Sequence, residues 1–222
     1  MEIAPGRRTP MNPATIDHLV IAAKSLGEGA DFVQTHLGVA AQPGGEQKEM
    51  GTHTLLLKLG AKIYLEVIAI NPRASKPRAP RWFDLDTADL QAALSESPRL
   101  ITWVASTDSI EKLAARCPEP LGSIRVMRGG SPSKVTVPAD GHLPGAGLVP
   151  TLVEWDGNRH PADRLADQGC SLQALAGAHE RPEDIRLALA ALGLTGAMPV
   201  SQGPARFAVR IVTPFGVRTI SS

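Results

Sequence analysis

A histidine and a glutamate in two otherwise apolar stretches are the residues best suited to chemistry. His18 lies in residues 16–22 and Glu66 in residues 63–70, and both stretches are typical of strands. A carboxylate among apolar neighbours is unfavourable unless it is paired, hydrogen-bonded or bound to a cation. Imidazole and carboxylate groups also serve as ligands of divalent metals. If the two strands meet, the pair predicts a site for a metal or for a polar ligand.

Both residues also have ordinary structural interpretations. Alternation along a strand places His18 on one face with Ile16 and Val20, where it fits a core histidine bonded to a backbone carbonyl. Glu66 fits a carboxylate neutralised by a core arginine such as Arg81. Because a glutamate that faces inward from so apolar a strand needs a strong partner, we favour the site role for Glu66.

Two further titratable residues are candidates. His53 begins a strand whose same-face neighbours are Leu55 and Leu57, and it fits either a proton shuttle or a strand-end histidine. Glu154 leads into an Asp-Gly-Asn turn, where a solvated carboxylate is as ordinary as a metal ligand. We predict His53 and Glu66 as the catalytic residues.

Three more residues are predicted to line a substrate pocket. Tyr64 shares its strand face with Glu66, and Trp103 lies in the apolar stretch 100–105. A buried indole is more often part of a core, although an indole is also a normal pocket wall. His160 lies in a loop, where functional groups often collect, and a surface histidine is its alternative interpretation.

The composition excludes several classes of partner. The chain has 222 residues, of which 43% are hydrophobic and 20% charged, and its net charge is +1. That balance gives no attraction to nucleic acid or to an acidic membrane surface. No apolar run approaches the roughly 20 residues that span a bilayer. Cys117 and Cys170 lie far apart, which suits free thiols in a reducing compartment, and a single long-range disulfide between them is the alternative. We expect a cytoplasmic protein with a small-molecule substrate, and a homodimer is left open.

Hydrophobic periodicity divides the chain into repeated units of a strand, a helix and further strands. After a disordered tail over residues 1–14, we predict a first βαβββ module over 15–71 and a linker with a short helix over 72–98. A second module follows over 99–160, and a third, partial βαβ-type module over 168–222. The strands after each helix follow one another too closely for parallel crossovers, so the pattern predicts an α+β fold.

The first helix has clear end signals. Ser25 and Glu28 form a candidate capping box at its start, and Gly38 is placed to end it. The Gly44-Gly45 pair that follows predicts a turn.

Several motifs resemble the vicinal oxygen chelate superfamily, and specifically its glyoxalase-like domain proteins. The resemblance extends between residues 15 and 215 and rests on Asp17-His18-Leu19-Val20, Met50-Gly51-Thr52-His53, Tyr64-Leu65-Glu66-Val67-Ile68-Ala69, Arg81-Trp82-Phe83, Leu148-Val149-Pro150-Thr151-Leu152, Glu154-Trp155 and His160-Pro161. It implies paired βαβββ modules whose strands form a curled mixed sheet with a cup-shaped pocket.

The resemblance also implies a divalent metal in the cup, held by His and Glu from the first and last strands of the modules. His18 and Glu66 match the first-module ligands, and with this match we favour a site role for His18 as well. In the second module, Glu154 stands where the last-strand glutamate would be, whereas Trp103 stands in place of the first-strand ligand. Such a ligand set fits Zn, Ni, Mn or Fe without choosing among them.

From this resemblance we expect a glyoxalase-like protein that acts as a metal-dependent lyase, isomerase or dioxygenase on a small oxygenated substrate. The metal would stabilise an enolate or a similar oxyanion. The missing ligand at Trp103 favours an alternative, a metal-free binding or sequestering protein of the bleomycin-resistance type. A third interpretation is an interaction module whose cup is filled by its own side chains.

Overall fold

The computed structural model describes residues 12–129, 131–157 and 160–222. Its first half holds five strands, two helices and a long connection between them. The elements, in chain order, are β1 (Thr15–Ala22), α1 (Leu26–Leu37), β2 (Gln42–Gln47), β3 (Thr52–Gly60), β4 (Ile63–Ile70), α2 (Ala88–Leu94) and β5 (Arg99–Ser106).

The second half completes the second module and adds a further unit. Its elements are α3 (Ile110–Arg116), β6 (Ser123–Met127), β7 (Ser133–Val137), β8 (Thr151–Trp155), β9 (Ser171–His179), α4 (Pro182–Ala191), β10 (Val200–Gln202), β11 (Arg206–Thr213) and β12 (Gly216–Ser221). A short 3₁₀ turn lies at Pro161–Arg164, whereas Pro144–Gly147 forms a tight turn in which Gly145 and Ala146 have left-handed backbone angles.

The first two units form one curled sheet of eight strands, in the order β2-β3-β4-β1-β5-β8-β7-β6. Within each module the first and last strands are parallel neighbours, and the modules join through the antiparallel pair β1 and β5. The halves are therefore related by an approximate twofold axis. This arrangement confirms the predicted α+β fold of paired βαβββ modules.

The third unit forms a separate four-stranded sheet, in the order β10-β9-β11-β12. Its apolar residues share one large core with α1, α3, α4 and the helix-facing side of the eight-stranded sheet. Examples are Leu175, Phe207 and Ile211, which are buried in the same cluster as Leu19 and Trp103. The small sheet thus covers the outer face of the curled sheet and leaves its inner face to a second core.

The inner core is closed by the connection between β4 and α2. Trp82 and Phe83 from this connection stack with ring centroids 5.0 Å apart and pack with apolar residues of the inner face. Phe83 and Asp84 both adopt left-handed backbone angles, with φ of 60° and 57°. The Asp84 N–H donates to the carbonyl of Gly141, and its carboxylate accepts from the Leu143 N–H. These bonds hold a strained turn that presents two aromatic rings to the cup.

The Ser25 N-cap and the Gly38 end of α1 are confirmed, but among the described contacts the Glu28 side chain does not complete the predicted capping box, and the turn predicted at Gly44-Gly45 is wrong. The Ser25 hydroxyl accepts from the Glu28 N–H at 3.2 Å, and Gly38 ends the helix with φ of 77°. The two glycines lie inside strand β2, next to an irregularity in its pairing with β3. A Cβ at Gly44 would collide with the Thr54 hydroxyl, so glycine here permits close strand packing rather than a reversal.

The start of the fold lies slightly earlier than predicted. Residues 1–11 of the predicted tail lie outside the described residues. Ala14, however, is buried, and its N–H donates to the carbonyl of Leu192 at 3.0 Å. In the described part of the chain, no helix has the length and apolar character needed to cross a membrane.

Candidate active site

The inner face of the curled sheet forms a pocket that is open to solvent, and the space it outlines, open solvent included, is about 680 Å³. Among the described residues, the acidic and basic side chains that line it are His18, Glu66 and Arg164. The rest of the described lining is mostly apolar or aromatic, with the Gln47 amide and the hydroxyls of serine and threonine residues as further polar groups. These residues include Leu56, Tyr64, Trp82, Phe83, Val104, Met127, Val135, Val153 and Trp155, with the hydroxyls of Thr54, Ser131, Ser133 and Thr151. A largely apolar cleft with a few polar groups is the usual form of a small-molecule site.

A break in the alternation of β1 arranges the deepest part of the site. The pairing of β1 with β5 shifts between Ile16 and His18, which leaves Asp17 as the extra residue of a bulge. Ile16 packs against the outer core, whereas His18 lines the inner pocket. The expectation that Ile16 and His18 share a face was therefore wrong, because the bulge reverses the side-chain phase at Asp17.

Asp17 is fully buried and is the centre of a hydrogen-bond network. Its Oδ1 lies 2.6 Å from His18 Nδ1, and its Oδ2 lies 2.8 Å from Trp155 Nε1 and 3.0 Å from His160 Nε2. Burial acts to raise the pKa of Asp17, but the bonds from His160, His18 and Trp155 together outweigh it and hold the pKa well below its usual range. Asp17 is therefore a fixed negative charge behind the pocket.

The network determines which nitrogens of the two histidines carry hydrogen. The Ala162 N–H donates to His160 Nδ1 at 3.1 Å, so that nitrogen is an acceptor and His160 Nε2 donates to Asp17. Since Asp17 is ionised, His18 Nδ1 also donates to it. In neutral His18, the lone pair of Nε2 is then directed away from Asp17. That nitrogen lies 3.7 Å from Glu66 Oε2.

Glu66 faces His18 from the neighbouring strand β4. Its side chain is 13% exposed, and burial raises its pKa, an effect that His18 opposes and Asp17 reinforces. Tyr64 lies two residues earlier on the same face and stacks on the His18 ring, with centroids 4.4 Å apart. Arg81 pairs with Asp86 at 2.6 Å, so the interpretation in which Arg81 neutralises Glu66 does not hold.

Two of the predicted chemical residues lie on the wrong side of the sheet. In β3, Thr54 and Leu56 line the pocket, so His53 lies on the opposite face with Leu55 and Leu57. This position does not fit the predicted catalytic role of His53. Burial lowers the pKa of its imidazole.

Glu154 is displaced for the same reason. In β8, Thr151, Val153 and Trp155 line the pocket, which leaves Glu154 on the outer face. Its carboxylate accepts from the Ile110 N–H at the start of α3 and pairs with Lys134 at 2.9 Å. The predicted role of Glu154 as a metal ligand does not fit this position.

The two predicted pocket residues Trp103 and His160 lie behind other groups. Trp103 is fully buried in the outer core, where its indole N–H donates to the carbonyl of Leu148 at 3.0 Å. It therefore does not line the pocket. His160 contacts the edge of the Tyr64 ring and bonds Asp17, so it supports the site from behind.

The approximate twofold axis identifies the true second-module counterparts of His18 and Glu66. Two residue pairs, His18 with Val104 and Val20 with Thr102, join β1 to β5 on either side of the axis. Rotation about the axis therefore exchanges His18 with Thr102 and Val20 with Val104. Trp103, which the sequence placed at the ligand position, corresponds instead to Leu19.

The last strands of the modules follow the same exchange. Val20 pairs with Glu66 in β4, and its counterpart Val104 pairs with Thr151 in β8. The second module thus offers two threonines where the first offers a histidine and a glutamate.

This donor set does not complete the four-ligand metal site that the resemblance implies. His18 and Glu66 are suitable ligands, and Asp17 behind His18 is a normal support for a metal-bound imidazole. The Thr102 hydroxyl, however, already bonds the carbonyl of Gly147 at 3.0 Å. Within residues 12–129, 131–157 and 160–222, no group of three or more His, Cys, Asp or Glu side chains is arranged to hold a metal. A metal, and which metal, stays a prediction.

Paired βαβββ modules that curl around a pocket define the chain as a protein of the vicinal oxygen chelate class. The sequence matches one family of that class over residues 16–193, described as a glyoxalase-like domain. The chain belongs to this glyoxalase-like domain family. The resemblance seen in the sequence motifs is thereby confirmed.

Solved structures share the fold at low sequence identity. A hypothetical protein from Staphylococcus aureus is 10% identical with a TM-score of 0.58, over 86% of this chain and 87% of that one. Methylmalonyl-CoA epimerase from Mycobacterium tuberculosis is 14% identical with a TM-score of 0.40, over 65% and 89% of the two chains. A mutant 4-hydroxymandelate synthase from Streptomyces coelicolor is 14% identical with a TM-score of 0.45, over 95% of this chain and 63% of that one. The first likeness concerns the fold alone, and the other two are too distant to support any argument. No curated protein sequence matches the chain.

Proposed function

We propose that the protein is a proton-transferring isomerase or lyase that acts on a small oxygenated molecule. One observation carries the proposal. His18 Nε2 and Glu66 Oε2 lie 3.7 Å apart in the same pocket, while Asp17 holds the other nitrogen of His18. A base and an acid whose environments differ are the usual requirement for moving a proton at neutral pH.

In this proposal His18 is the base. Its Nε2 takes a proton from a carbon next to a substrate carbonyl, and the C–H electron pair moves into the developing enolate. Asp17 stabilises the resulting imidazolium, as a buried carboxylate does behind other catalytic histidines. In this proposal Glu66, whose pKa is raised by burial, acts in its acid form and donates a hydrogen bond to the enolate oxygen. Return of the proton gives an isomer, and loss of a neighbouring leaving group gives a lyase product.

No step of this reaction passes through a metal ion, because the second module supplies threonines where two further ligands are expected. A metal bound by His18 and Glu66 would polarise the substrate carbonyl as a Lewis acid. Whether a metal binds is measured separately from proton transfer. Uptake of Zn, Ni, Mn and Fe by the purified protein is determined for each metal in turn.

The test uses proton exchange, which can be screened before the natural substrate is identified. A panel of small ketones, 2-hydroxy ketones and 2-oxo acids is incubated with the protein in D₂O, and NMR detects replacement of C–H by C–D. We expect exchange with at least one compound, and a loss of about 10²-fold or more in His18→Gln, the usual size of a general base contribution. His36→Gln, which changes an exposed histidine on α1, is the matched control. Exchange that survives His18→Gln contradicts the proposal.

A metal-free binding protein is the second candidate. Apolar and aromatic side chains form most of the pocket wall, and the second-module ligand positions hold Thr102 and Thr151. Compounds of the panel that bind with measurable heat, yet show no exchange at any pH, would favour this candidate over an enzyme.

A further inference from the structure

The charged groups of the pocket are unevenly placed, and this asymmetry bears on the ligand. His18 and Glu66 lie deep, with side chains 8% and 13% exposed. Arg164 lines the same pocket but is exposed, which places it at the mouth. Asp17 adds a fixed negative charge behind the deep end. An anionic group is therefore disfavoured near His18 and favoured at the mouth.

Arg164 is a cation without an anionic partner in the described part of the chain. Its neighbour Asp163 is neutralised by Lys62, whose Nζ lies 2.7 Å from both carboxylate oxygens. Toward the residues that the structure describes, the guanidinium of Arg164 makes one bond, from Nη2 to the Ser131 hydroxyl at 3.2 Å. This bond orients the group beside the pocket while its other N–H donors stay available for a planar anion such as a carboxylate.

Apolar side chains make up much of the pocket wall. Val104 and Val153 line it from the central strands, and Met127 and Val135 from the second-module edge. A fully polar ligand would lose hydration against this wall without gaining partners. The wall therefore favours a ligand with an apolar body.

We propose that the pocket binds a small carboxylate with an apolar body, its carboxylate at Arg164 and its reacting carbon at His18 and Glu66. The position of the reacting carbon rests on the proposed function, whereas the charge preference rests on Arg164 and the apolar wall. The two parts are therefore tested separately.

Calorimetric titration with matched ligand pairs tests the charge preference. The probes are phenylacetate with phenylacetamide and hexanoate with hexanamide, because each pair differs in charge and hardly in shape. In the wild-type protein we expect at least one carboxylate to bind about tenfold or more tightly than its amide, as bonds to a charged partner predict. In Arg164→Gln this ratio is expected to fall to about one. Arg218→Gln, which changes an exposed arginine on β12, should keep it.

The outcomes separate this inference from the proposed function. Equal affinities within both pairs, absence of binding by all four probes, or a ratio that persists in Arg164→Gln would each overturn the inference. His18→Gln should retain the carboxylate preference even though it abolishes exchange. A preserved preference without exchange in any protein leaves the ligand class standing and removes the enzyme.

Discussion

Replacing Asp17 with asparagine tests how the site is organised, because it changes charge and hydrogen-bond direction while preserving shape. The carboxylate accepts three N–H groups, two at Oδ2 and one at Oδ1. The asparagine amide has one oxygen and one NH₂ group. If the oxygen keeps the bonds from Trp155 and His160, the NH₂ faces His18 Nδ1, and that nitrogen must become an acceptor. His18 then carries its hydrogen on Nε2, where it can no longer act as a base.

The structure also gives the size of the stability change. Asp17→Asn removes one bond to a charged group and weakens two others, and bonds to charged groups contribute about 1.5–3 kcal/mol each. We expect the free energy of unfolding to fall by about 2 kcal/mol at pH 7, a drop in Tm of about 4–8 °C for a chain of this length. The pKa of Asp17 is depressed in the folded state, so its contribution is full above its ordinary pKa. The difference between the two proteins should therefore shrink below about pH 4.

Long-range ¹H–¹⁵N NMR of the imidazole rings reads the tautomer directly, since the protonated and bare nitrogens have different ¹⁵N shifts. We expect hydrogen on Nδ1 of His18 in the wild-type protein and on Nε2 in Asp17→Asn. Asp140→Asn is the matched control, because Asp140 makes the same 2.6 Å contact with His142 on the surface. A variant in which His18 keeps its hydrogen on Nδ1 would refute this account of the network.

Three further predictions concern other parts of the structure. The raised pKa of the buried Glu66 carboxyl means that its ionisation destabilises the folded protein as the pH rises. Glu66→Gln removes this effect, so the Tm of the variant relative to wild type should increase between pH 4.5 and 7 in calorimetric scans. A Tm difference that stays constant over this range would contradict the prediction. Gly44→Ala should lower the free energy of unfolding by about 1–3 kcal/mol in urea titrations, because the new Cβ collides with Thr54. Gly45→Ala is the control: its Cβ meets no atom within 4 Å, so any loss of stability in that variant measures backbone strain alone. Glu154→Gln should leave metal uptake and ligand binding unchanged in calorimetry, because the Glu154 carboxylate faces α3. A loss of metal uptake or of ligand binding in this variant would support the metal-ligand role predicted from the sequence.

Much of the fold could be predicted from local sequence patterns, because apolar runs form its strands and a glycine ends its first helix. The apolar runs around His18 and Glu66 became the parallel central pair β1 and β4, and Gly38 ended α1 as its φ of 77° requires. Strand β10 was missed because three residues, Val200–Gln202, are too few to show a pattern. Pairing of the first and last strands then brought two distant residues into one pocket.

The side of the sheet on which each residue lies could not be predicted in the same way. The large sheet is buried on both faces, so hydrophobicity does not distinguish the pocket side from the helix side. His53 and Glu154 were consequently assigned to the wrong face, and Trp103 to a position that Thr102 holds. The bulge at Asp17 has no sequence signal of its own. The sequence did show that Asp17 is also a carboxylate in an apolar strand. The unfavourable free energy of burying a carboxylate, which singled out Glu66, applies equally to Asp17.

The Arg164 and Trp155 contributions to the site were also missed. Arg164 lies in a short 3₁₀ turn after the second module, with no pattern that links it to the cup. Trp155 belongs to a strand whose phase was misassigned. Both become visible only when the sheet is curled and the turn at Pro161–Arg164 is placed against β4.

The pairing of His18 with Glu66 is tested most directly by titrating the Glu66 carboxyl carbon with ¹³C NMR, its signal assigned by loss in Glu66→Gln. Burial should place the midpoint above the ordinary glutamate value of 4.5, and His18→Gln should raise it further, because His18 opposes that increase. A midpoint at or below the ordinary value that does not respond to His18→Gln would contradict the account.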